Sequence, residues 1–427
     1  MIPVIATSFV LVMILGVPVV FVIAITVLIY MLLAGVPLEL IPQRMFVGVD
    51  SFVLMAVPFF ILAGNIMNAG GLTKRLIRFT YVLVGTVRGG LAYVNVLASM
   101  IFAGITGAAT ADTSSIGSIL IPAMKKEGYD LSFSAAVTAA SSTIGGIIPP
   151  SLPFIIYAVT AGSVSVAALF LGGIIPGIMI GLFQIGLIRL FYVKKCPPVD
   201  KKQRIPFSEI PKEARDAFLA LIMPIIMVGG ILSGFFTPTE ASAVACVYAL
   251  VISFFVYKEL LISELPKILL NSAITTGACF MIVAAAAPFG WILTAEMIPL
   301  KLTAAILSLT NNSYLILLLI ILLLLFIGTF METIAAIIVI TPVLLPLATK
   351  LGIDPIHFGL FVCFGIYIGL TTPPVGICLY IACSIAGISL EQMTKAILPF
   401  VMVSIVVLLL ITYFPIFVLF IPNLFGR

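Results

Sequence analysis

Long apolar runs recur along the whole chain, and they restrict it to a membrane protein built from many helices. The clearest runs cover residues 10–33, 166–187, 218–236, 272–293, 314–327 and 397–421. A spanning helix needs about 20 apolar residues, so this length allows roughly a dozen membrane segments. Only 9% of the residues are charged, whereas soluble proteins carry about 25%. The sequence therefore predicts an all-α, polytopic membrane protein.

Charge and motif content argue against several other classes of protein. The net charge is +5, but most basic residues lie in a few short loops, as expected of segments that set membrane topology. No basic face interleaved with aromatic residues suggests a nucleic-acid partner. The six cysteines lack metal-like CxxC spacing, and no GxxxxGK[ST] nucleotide motif is present. Since no nucleophile–base pair is visible either, we expect neither an enzyme nor an ATP-driven pump.

A basic segment near the middle of the chain predicts a division into two halves. Residues 194–216 carry seven Lys and Arg side chains, and short loops rich in these residues face the cytoplasm. We therefore predict a first repeat over residues 1–193, a cytoplasmic linker over 194–216 and a second repeat over 217–427.

The two halves resemble each other at one ungapped offset of 224 residues, the distance from Gly104 to Gly328. At this offset Gly145 matches Gly369, and the prolines at 149–150 match those at 373–374. Matches on Gly, Pro and Asp indicate a true internal repeat, because apolar composition alone would match Leu, Ile and Ala. Such repeats are typical of transporters, often with inverted topology. Basic side chains precede the first repeated unit but are sparse before the second, so we predict inverted repeats.

Each half contains an interrupted apolar segment followed by a helix broken at a proline pair. The segments at about 91–124 and 313–348 form either one kinked span or two half-length helices of about 15 residues that re-enter the same side. We favour re-entrant hairpins, whose polar tips must be buried in protein or line a cavity. The broken helices cover about 134–161 and 358–386. Two consecutive prolines produce either a plain kink or an unwound stretch whose free carbonyls bind a cation. Because the proline pair recurs beside both hairpins, we favour the unwound stretch.

The hairpin tips and unwound stretches together predict two Na⁺ sites, because carbonyl and hydroxyl oxygens suit a hard cation. We assign the first site to Thr106, Gly145, Ile148 and Pro150, and the second to Gly328, Gly369, Thr372 and Val375. Helix N-termini at the tips favour an anionic substrate, most simply a carboxylate. The substrate candidates are Asp112, Thr113, Ser114, Ser115, Thr329, Glu332 and Thr333. Two of these, Asp112 and Glu332, are equally well explained as helix caps.

Four motifs resemble those of the large membrane subunit of tripartite ATP-independent periplasmic (TRAP) transporters. They are GIDPIHFG at 352–359, FFTPTEA at 235–241, FMET at 330–333 and VNVLASM at 94–100. The resemblance covers essentially the whole chain. The family's cation ligands fall on the positions of Gly328, Gly369 and Thr372, and of Thr106, Gly145 and Pro150. The first tip departs from the family pattern, because serines common in relatives are absent there.

The resemblance implies Na⁺-driven uptake of an organic acid, such as sialic acid or a C4-dicarboxylate, across the bacterial inner membrane. It also implies an elevator-type mechanism, a separate small four-helix membrane subunit and a periplasmic substrate-binding protein. Two alternatives stay open. A stand-alone Na⁺- or H⁺-coupled carboxylate symporter of similar architecture would need no binding protein. An ion channel or a membrane-embedded structural subunit is the alternative of a different class. A channel would show a continuous polar stripe or charged rings, and the closed, paired hairpins argue against that.

Overall fold

The computed structural model describes residues 1–162, 164–198, 210–310 and 312–425, and all regular secondary structure in these ranges is helical. The first half contains helices α1 to α10. Their bounds are α1 (Ile2–Ile14), α2 (Val19–Ala34), α3 (Leu40–Val49), α4 (Ala56–Ala69), α5 (Leu72–Val84), α6 (Gly90–Thr106), α7 (Ala109–Lys126), α8 (Leu131–Ser142), α9 (Leu152–Ala161) and α10 (Val166–Leu187).

The second half contains helices α11 to α20. Their bounds are α11 (Ile210–Leu232), α12 (Pro238–Val251), α13 (Leu265–Ala295), α14 (Ile298–Leu309), α15 (Ser313–Gly328), α16 (Thr333–Lys350), α17 (Pro355–Gly369), α18 (Ile377–Ala386), α19 (Leu390–Tyr413) and α20 (Ile416–Leu424). Short polar side chains cap the N-termini of several of these helices. The Asp354 carboxylate, for example, accepts hydrogen bonds from the amides of Ile356 (2.8 Å) and His357 (3.4 Å) at the start of α17.

The helix boundaries follow the offset found in the sequence. Helices α7 and α16 end at Lys126 and Lys350, and α10 and α19 begin at Val166 and Leu390, in each case 224 residues apart. We name α6, the turn and α7 hairpin 1, and α15, residues 329–332 and α16 hairpin 2. The stretch between α8 and α9 is break 1, and the stretch between α17 and α18 is break 2.

Equivalent elements of the two halves exchange partners across the molecule. Helix α7 packs against α18 of the second half, and its counterpart α16 packs against α9 of the first. In the same way α8 packs against α19, and α17 packs against α10. The hairpins and broken helices therefore interlock in the centre. Helices α2 to α4, α12 and α13 pack on one another beside them, with α4 in contact with both α12 and α13.

Six helical segments in the described ranges are long and apolar enough to cross a membrane, or seven if the bent pair α3–α4 (66°) is one span. One of the six is α16, with 18 residues. At 1.5 Å per residue α16 is about 27 Å long, close to the apolar thickness of a bilayer of about 30 Å. The hairpin arms are 16 to 18 residues long, slightly longer than the sequence interpretation allowed.

The predicted linker is only partly described. Its residues 199–209 lie outside the described residues, and α11 begins within its last part, at Ile210. The first part of the linker is fixed to the bundle by Arg88, whose guanidinium donates to the carbonyls of Lys194 (2.7 Å) and Cys196 (3.2 Å).

Candidate substrate and cation site

The tip of hairpin 2 lies directly on break 2, where two glycines allow the main chains to touch. A Cβ atom at Gly369 would overlap the backbone of Gly328, and one at Gly328 would lie 2.6 Å from the Ile366 carbonyl oxygen. Beside this contact the amide of Gly376 donates to the Thr329 carbonyl (3.0 Å). Only glycine permits such a close approach of backbones, so main-chain oxygens of the tip and of the break are held next to each other.

The other predicted ligands of the second cation site belong to the same break. The Thr372 hydroxyl donates to the Ile368 carbonyl (2.8 Å), which leaves its oxygen lone pairs able to accept or to coordinate. Val375 lies on the open side of the break, with 38% of its surface exposed. The structure therefore brings Gly328 into contact with Gly369 and places Thr372 and Val375 on the stretch that follows.

The tip of hairpin 1 lies on break 1 in a similar way. Gly107 ends α6 with a positive φ of 61°, and a Cβ atom there would lie 3.0 Å from the Pro150 carbonyl oxygen. At Gly104 a Cβ would lie 3.3 Å from the Pro149 carbonyl oxygen. The side chain of Ile148 packs over Gly177. The side chain of Thr106, a predicted ligand of the first site, lies outside the described part of the chain.

Asp112 occupies the space that a side chain at Gly145 would fill. Its carboxylate is fully buried, and a Cβ atom at Gly145 would overlap it. The next residue, Gly146, faces the Tyr367 ring, whose hydroxyl donates to the Gly107 carbonyl (3.4 Å). Asp112 therefore belongs to the packed contact between hairpin 1 and break 1.

A cavity of about 390 Å³ opens where the two hairpin tips meet α4 and α13, a volume in the range of small-molecule sites. A narrower space of about 100 Å³ lies between the two tips and break 2 and shares Glu332 with it. The polar side chains that line the main cavity come from four elements. They are Asn65 and Asn68 of α4, Thr110 and Ser115 of hairpin 1, Thr275 of α13 and Glu332 of hairpin 2.

The two helices that start at the tips begin differently. Glu332 is the N-cap of α16, and its carboxylate accepts from the amides of Ile334 (2.8 Å) and Ala335 (3.2 Å). The N-cap of α7 is Ala108, which supplies no side-chain cap and itself lines the cavity. No side chain caps the α7 N-terminus, but the buried carboxylate of Asp112 lies in the first turn of α7 and offsets part of its partial positive charge.

The structure separates the predicted substrate candidates into two groups. Ser115 and Glu332 line the main cavity, and Thr333 lines the narrower space. The others are not among the lining residues described for these two spaces: Asp112, Thr113, Ser114 and Thr329. Two of their hydroxyls donate within their own helices, Thr113 to the Ala109 carbonyl (2.8 Å) and Thr329 to the Phe326 carbonyl (2.8 Å).

Sequence reasoning missed the polar residues that α4 and α13 contribute. The Asn68 amide donates to the Ser115 hydroxyl (3.1 Å) and so joins α4 to hairpin 1. The Asn65 amide donates to the Ser272 hydroxyl of α13 (2.8 Å). Two asparagines three residues apart lie on one face of a helix, and in an apolar helix that spacing was a usable signal.

The amino-acid sequence matches one known protein family over almost its whole length. The sequence profile described as "Tripartite ATP-independent periplasmic transporter, DctM component" matches residues 6–417. The chain belongs to this DctM family. It is therefore a TRAP-type membrane permease and not an enzyme, as its sequence motifs predict.

Several individual proteins of this family are similar in sequence to the chain. An uncharacterized protein, YgiK of Salmonella typhimurium, is 42% identical over 98% of this chain and 96% of its own length. The sialic acid TRAP transporter large permease protein SiaM of Vibrio cholerae is 38% identical over 90% of this chain and 89% of its own length. The C4-dicarboxylate TRAP transporter large permease protein DctM of Pseudomonas aeruginosa is also 38% identical, over 90% and 89%.

Solved structures show the same fold at much lower identity. The YdaH transporter of Alcanivorax borkumensis aligns with a TM-score of 0.64 and 12% identity, over 87% of this chain and 86% of its own. At that identity the likeness establishes a shared helical architecture and nothing about substrate or coupling.

Proposed function

We propose that this DctM chain carries an organic acid into the cell by Na⁺-driven secondary transport, with the carboxylate bound in the cavity at the two hairpin tips. The observation that carries the proposal is the cavity itself. It lies beside glycine-mediated contacts between hairpin tips and breaks, and the uncapped N-terminus of α7 lines it. A helix N-terminus favours a carboxylate, and clustered main-chain oxygens favour a hard cation such as Na⁺.

We assign the coupling ions to the two tip–break contacts. The close approach at Gly328 and Gly369 leaves room only for backbone, so the ligands there would be carbonyl oxygens together with the Thr372 hydroxyl and the Val375 carbonyl. The equivalent set in the first half is Thr106, Gly145, Ile148 and Pro150. Among the described residues there is no cluster of three His, Cys, Asp or Glu side chains that could hold a metal, which is consistent with ligands of this kind.

We propose that the two halves are inverted repeats and that the hairpins re-enter the membrane. The shared helix offset and the exchanged packing of α7 on α18 and α16 on α9 support this. In this scheme the hairpins and broken helices move as one body against α2 to α4 and α11 to α13, carrying the cavity across the inner membrane in an elevator motion. A pseudo-symmetric pair of repeats provides the two equivalent arrangements that alternating access needs.

The family's description names a three-part system, of which DctM is one component. We therefore propose that this chain works with a small membrane subunit, present as a separate polypeptide, and with a periplasmic binding protein that delivers the substrate. The relatives named for sialic acid and C4-dicarboxylates indicate the class of acid, which we take to be a small carboxylate.

Uptake into proteoliposomes tests the proposal. The chain and its small subunit are reconstituted, and uptake of labelled sialic acid and succinate is followed with and without a Na⁺ gradient and the binding protein. We expect uptake of at least one acid that needs both. Uptake without the binding protein would favour the stand-alone symporter, and uptake indifferent to Na⁺ would contradict both cation sites.

A pair of threonine variants localises the Na⁺ dependence. Thr372→Val removes a proposed ligand, and we expect the Na⁺ concentration for half-maximal uptake to rise about tenfold. Thr349→Val is the matched control, because the Thr349 hydroxyl also donates to carbonyls of its own helix (3.1 Å and 3.0 Å) but lies at the end of α16. Equal Na⁺ dependence of the two variants would exclude Thr372 as a ligand.

A further inference from the structure

The main cavity lies against the half of α4 that is nearer to the predicted cytoplasmic linker. Its lining residues on α4 begin at Ile61 and end at Asn68, whereas the whole helix covers Ala56–Ala69. The next helix, α5, is joined to that linker by the ion pair of Arg78 with Glu213 (2.7 Å). The cavity is therefore displaced towards the predicted cytoplasmic side of α4.

Exposed polar side chains continue from the cavity towards the same side. On α7 Ser118 follows Ser115 by about one turn, and on α13 Asn271 precedes Thr275 by about one turn. Both Ser118 and Asn271 are exposed. The base of hairpin 1, towards which Ser118 lies, follows Arg88, which is bonded to the linker. Polar side chains within membrane helices face protein or water rather than lipid, so this side of the cavity is open to water.

A short chain of hydrogen bonds joins α4 to hairpin 1 beside this opening. The Asn68 amide donates to the Ser115 hydroxyl (3.1 Å), and the Thr73 hydroxyl of α5 donates to the side-chain oxygen of Asn68 (3.1 Å). Thr73 is buried, with 1% of its surface exposed, so it fixes the orientation of the amide. A donor that is oriented in advance loses less conformational entropy when it bonds to Ser115.

A second asparagine of α4 makes a bond of the same kind within a single body. We call α2 to α4 and α11 to α13 the outer helices, and the hairpins with the broken helices the inner body. The Asn65 amide donates to the Ser272 hydroxyl of α13 (2.8 Å), and both residues belong to the outer helices. A bond that is present in two conformations does not change their ratio, whereas a bond that is present in one of them does.

We propose that Asn68 is a positioning residue of the transport cycle, and that its hydrogen bond to Ser115 stabilises the conformation that is open to the cytoplasm. This inference rests on the proposed elevator motion and assigns one of the contacts that set its equilibrium. When the inner body moves along the outer helices, the two side chains separate and water replaces their bond. The net contribution of one such hydrogen bond changes a conformational ratio by about threefold.

Two spin labels, one on each body, measure this ratio. Lys126→Cys at the end of α7 and Lys267→Cys near the start of α13 provide exposed attachment sites, and Cys279→Ala removes the native thiol that lines the cavity. The chain is purified with its small subunit and studied without substrate, with and without Na⁺. Pulsed electron paramagnetic resonance then gives the populations of the two label distances. Because no substrate is present, a lost substrate contact cannot change the result.

Variants of the hydrogen-bonded chain should change this ratio. Asn68→Ala and Ser115→Ala should each lower the share of the cytoplasm-open conformation relative to the other by about threefold. The double variant should lower it no further, because both changes remove the same bond. Thr73→Val should have a smaller effect of the same sign, and Thr73→Ser, which keeps the hydroxyl, should restore the native ratio.

Ser272→Ala is the matched control. Ser272 also accepts from an asparagine amide of α4 (2.8 Å), but its bond lies within the outer helices and Ser272 is not among the described lining residues of the cavity. Both conformations lose the same bond in this variant, so the ratio should equal that of the parent.

The outcomes separate this inference from the proposed function. If Asn68→Ala and Ser115→Ala keep the native ratio, or if Ser272→Ala changes it as much, the inference fails while Na⁺-driven carboxylate transport stands. Additive effects in the double variant would show that the two side chains act independently, which also contradicts it. If one distance alone is found with and without Na⁺, and again after sialic acid or succinate is added, the proposed elevator motion fails and the inference fails with it.

Discussion

The backbone contact between Gly328 and Gly369 depends on two missing Cβ atoms. Either Cβ would press into the opposite main chain, and backbone has no flexible end that can move aside. In the proposed mechanism this contact also positions the carbonyl oxygens of the second cation site. A single methyl group is thus enough to separate the hairpin 2 tip from break 2.

Gly369→Ala should therefore lower both stability and Na⁺ binding. Overpacking of this kind costs about 1–3 kcal/mol of unfolding free energy. The Na⁺-dependent rise in melting temperature of the purified complex should shrink or disappear.

Gly290→Ala is the control for this change, since no atom lies within 4 Å of a Cβ built at Gly290 in α13. Its stability should equal or slightly exceed that of the native chain, because alanine favours helix more than glycine does. A full Na⁺ response in Gly369→Ala would contradict the assignment of the second cation site.

Single residues of the site were only partly predictable from sequence. Glycines and prolines lie where the described helices end at the tips and breaks, because their conformational roles are local. The direction in which a side chain points is not determined by local sequence. Asp112 and Ser115 are three residues apart in α7, yet Asp112 faces Gly145 while Ser115 faces the cavity. Which face of α7 meets which neighbour depends on helix packing that sequence spacing does not reveal.

Helix α5 connects the α4 region to hairpin 1 and is fixed by two ion pairs to elements of the second half. Arg78 pairs with Glu213 of α11 (2.7 Å), and Arg75 pairs with Glu259 (2.6 Å). The Arg75 guanidinium also lies over the Tyr257 ring, 3.8 Å from its centroid. Because Glu213 is almost fully buried, with 5% of its side chain exposed, its charge needs the partner.

Arg78→Ala should destabilise the protein by about 2 kcal/mol, because it leaves a buried carboxylate without its ionic partner. Adding Glu213→Gln should recover part of that loss. The free energy of unfolding of the purified complex measures both effects.

Lys395→Ala is the matched control, because its pair with Glu391 is exposed on both sides (76% and 81%). The control should change the free energy of unfolding by less than about 0.5 kcal/mol. If Arg78→Ala and Lys395→Ala behave alike, the Arg78–Glu213 pair does not fix α5.

The sequence predicts the ends of helices better than it predicts the contacts of single side chains. Helix ends in the two halves follow the offset of 224 residues, because helix ends require caps and glycines that are visible in the sequence. The exposure of each arm was not predictable. Helix α6 is mostly buried, and its Asn95 donates to Thr138 of α8 (2.6 Å). At the equivalent position α15 carries Leu319, which is 50% exposed, so the two arms have different neighbours.

At the scale of the whole molecule, the interlocked halves leave a cavity between the hairpin tips and the α4–α13 pair. The hydrogen bond from Asn68 to Ser115 crosses the boundary between these two bodies. If the hairpins move against the outer helices, this bond must break and the cavity must open to each side of the membrane in turn. A fixed arrangement would keep the cavity open to one side only.

Labelling of Ala111→Cys tests this motion most directly. Ala111 is exposed and lines the cavity, and Cys279→Ala removes the native thiol that also lines it. A membrane-impermeant maleimide is added to right-side-out and to inside-out vesicles, and Lys194→Cys in the predicted cytoplasmic loop reports sidedness. We expect Ala111→Cys to react from both sides, in a ratio that Na⁺ and substrate change, and Lys194→Cys to react from one side. Reaction of Ala111→Cys from a single side under every condition would contradict alternating access.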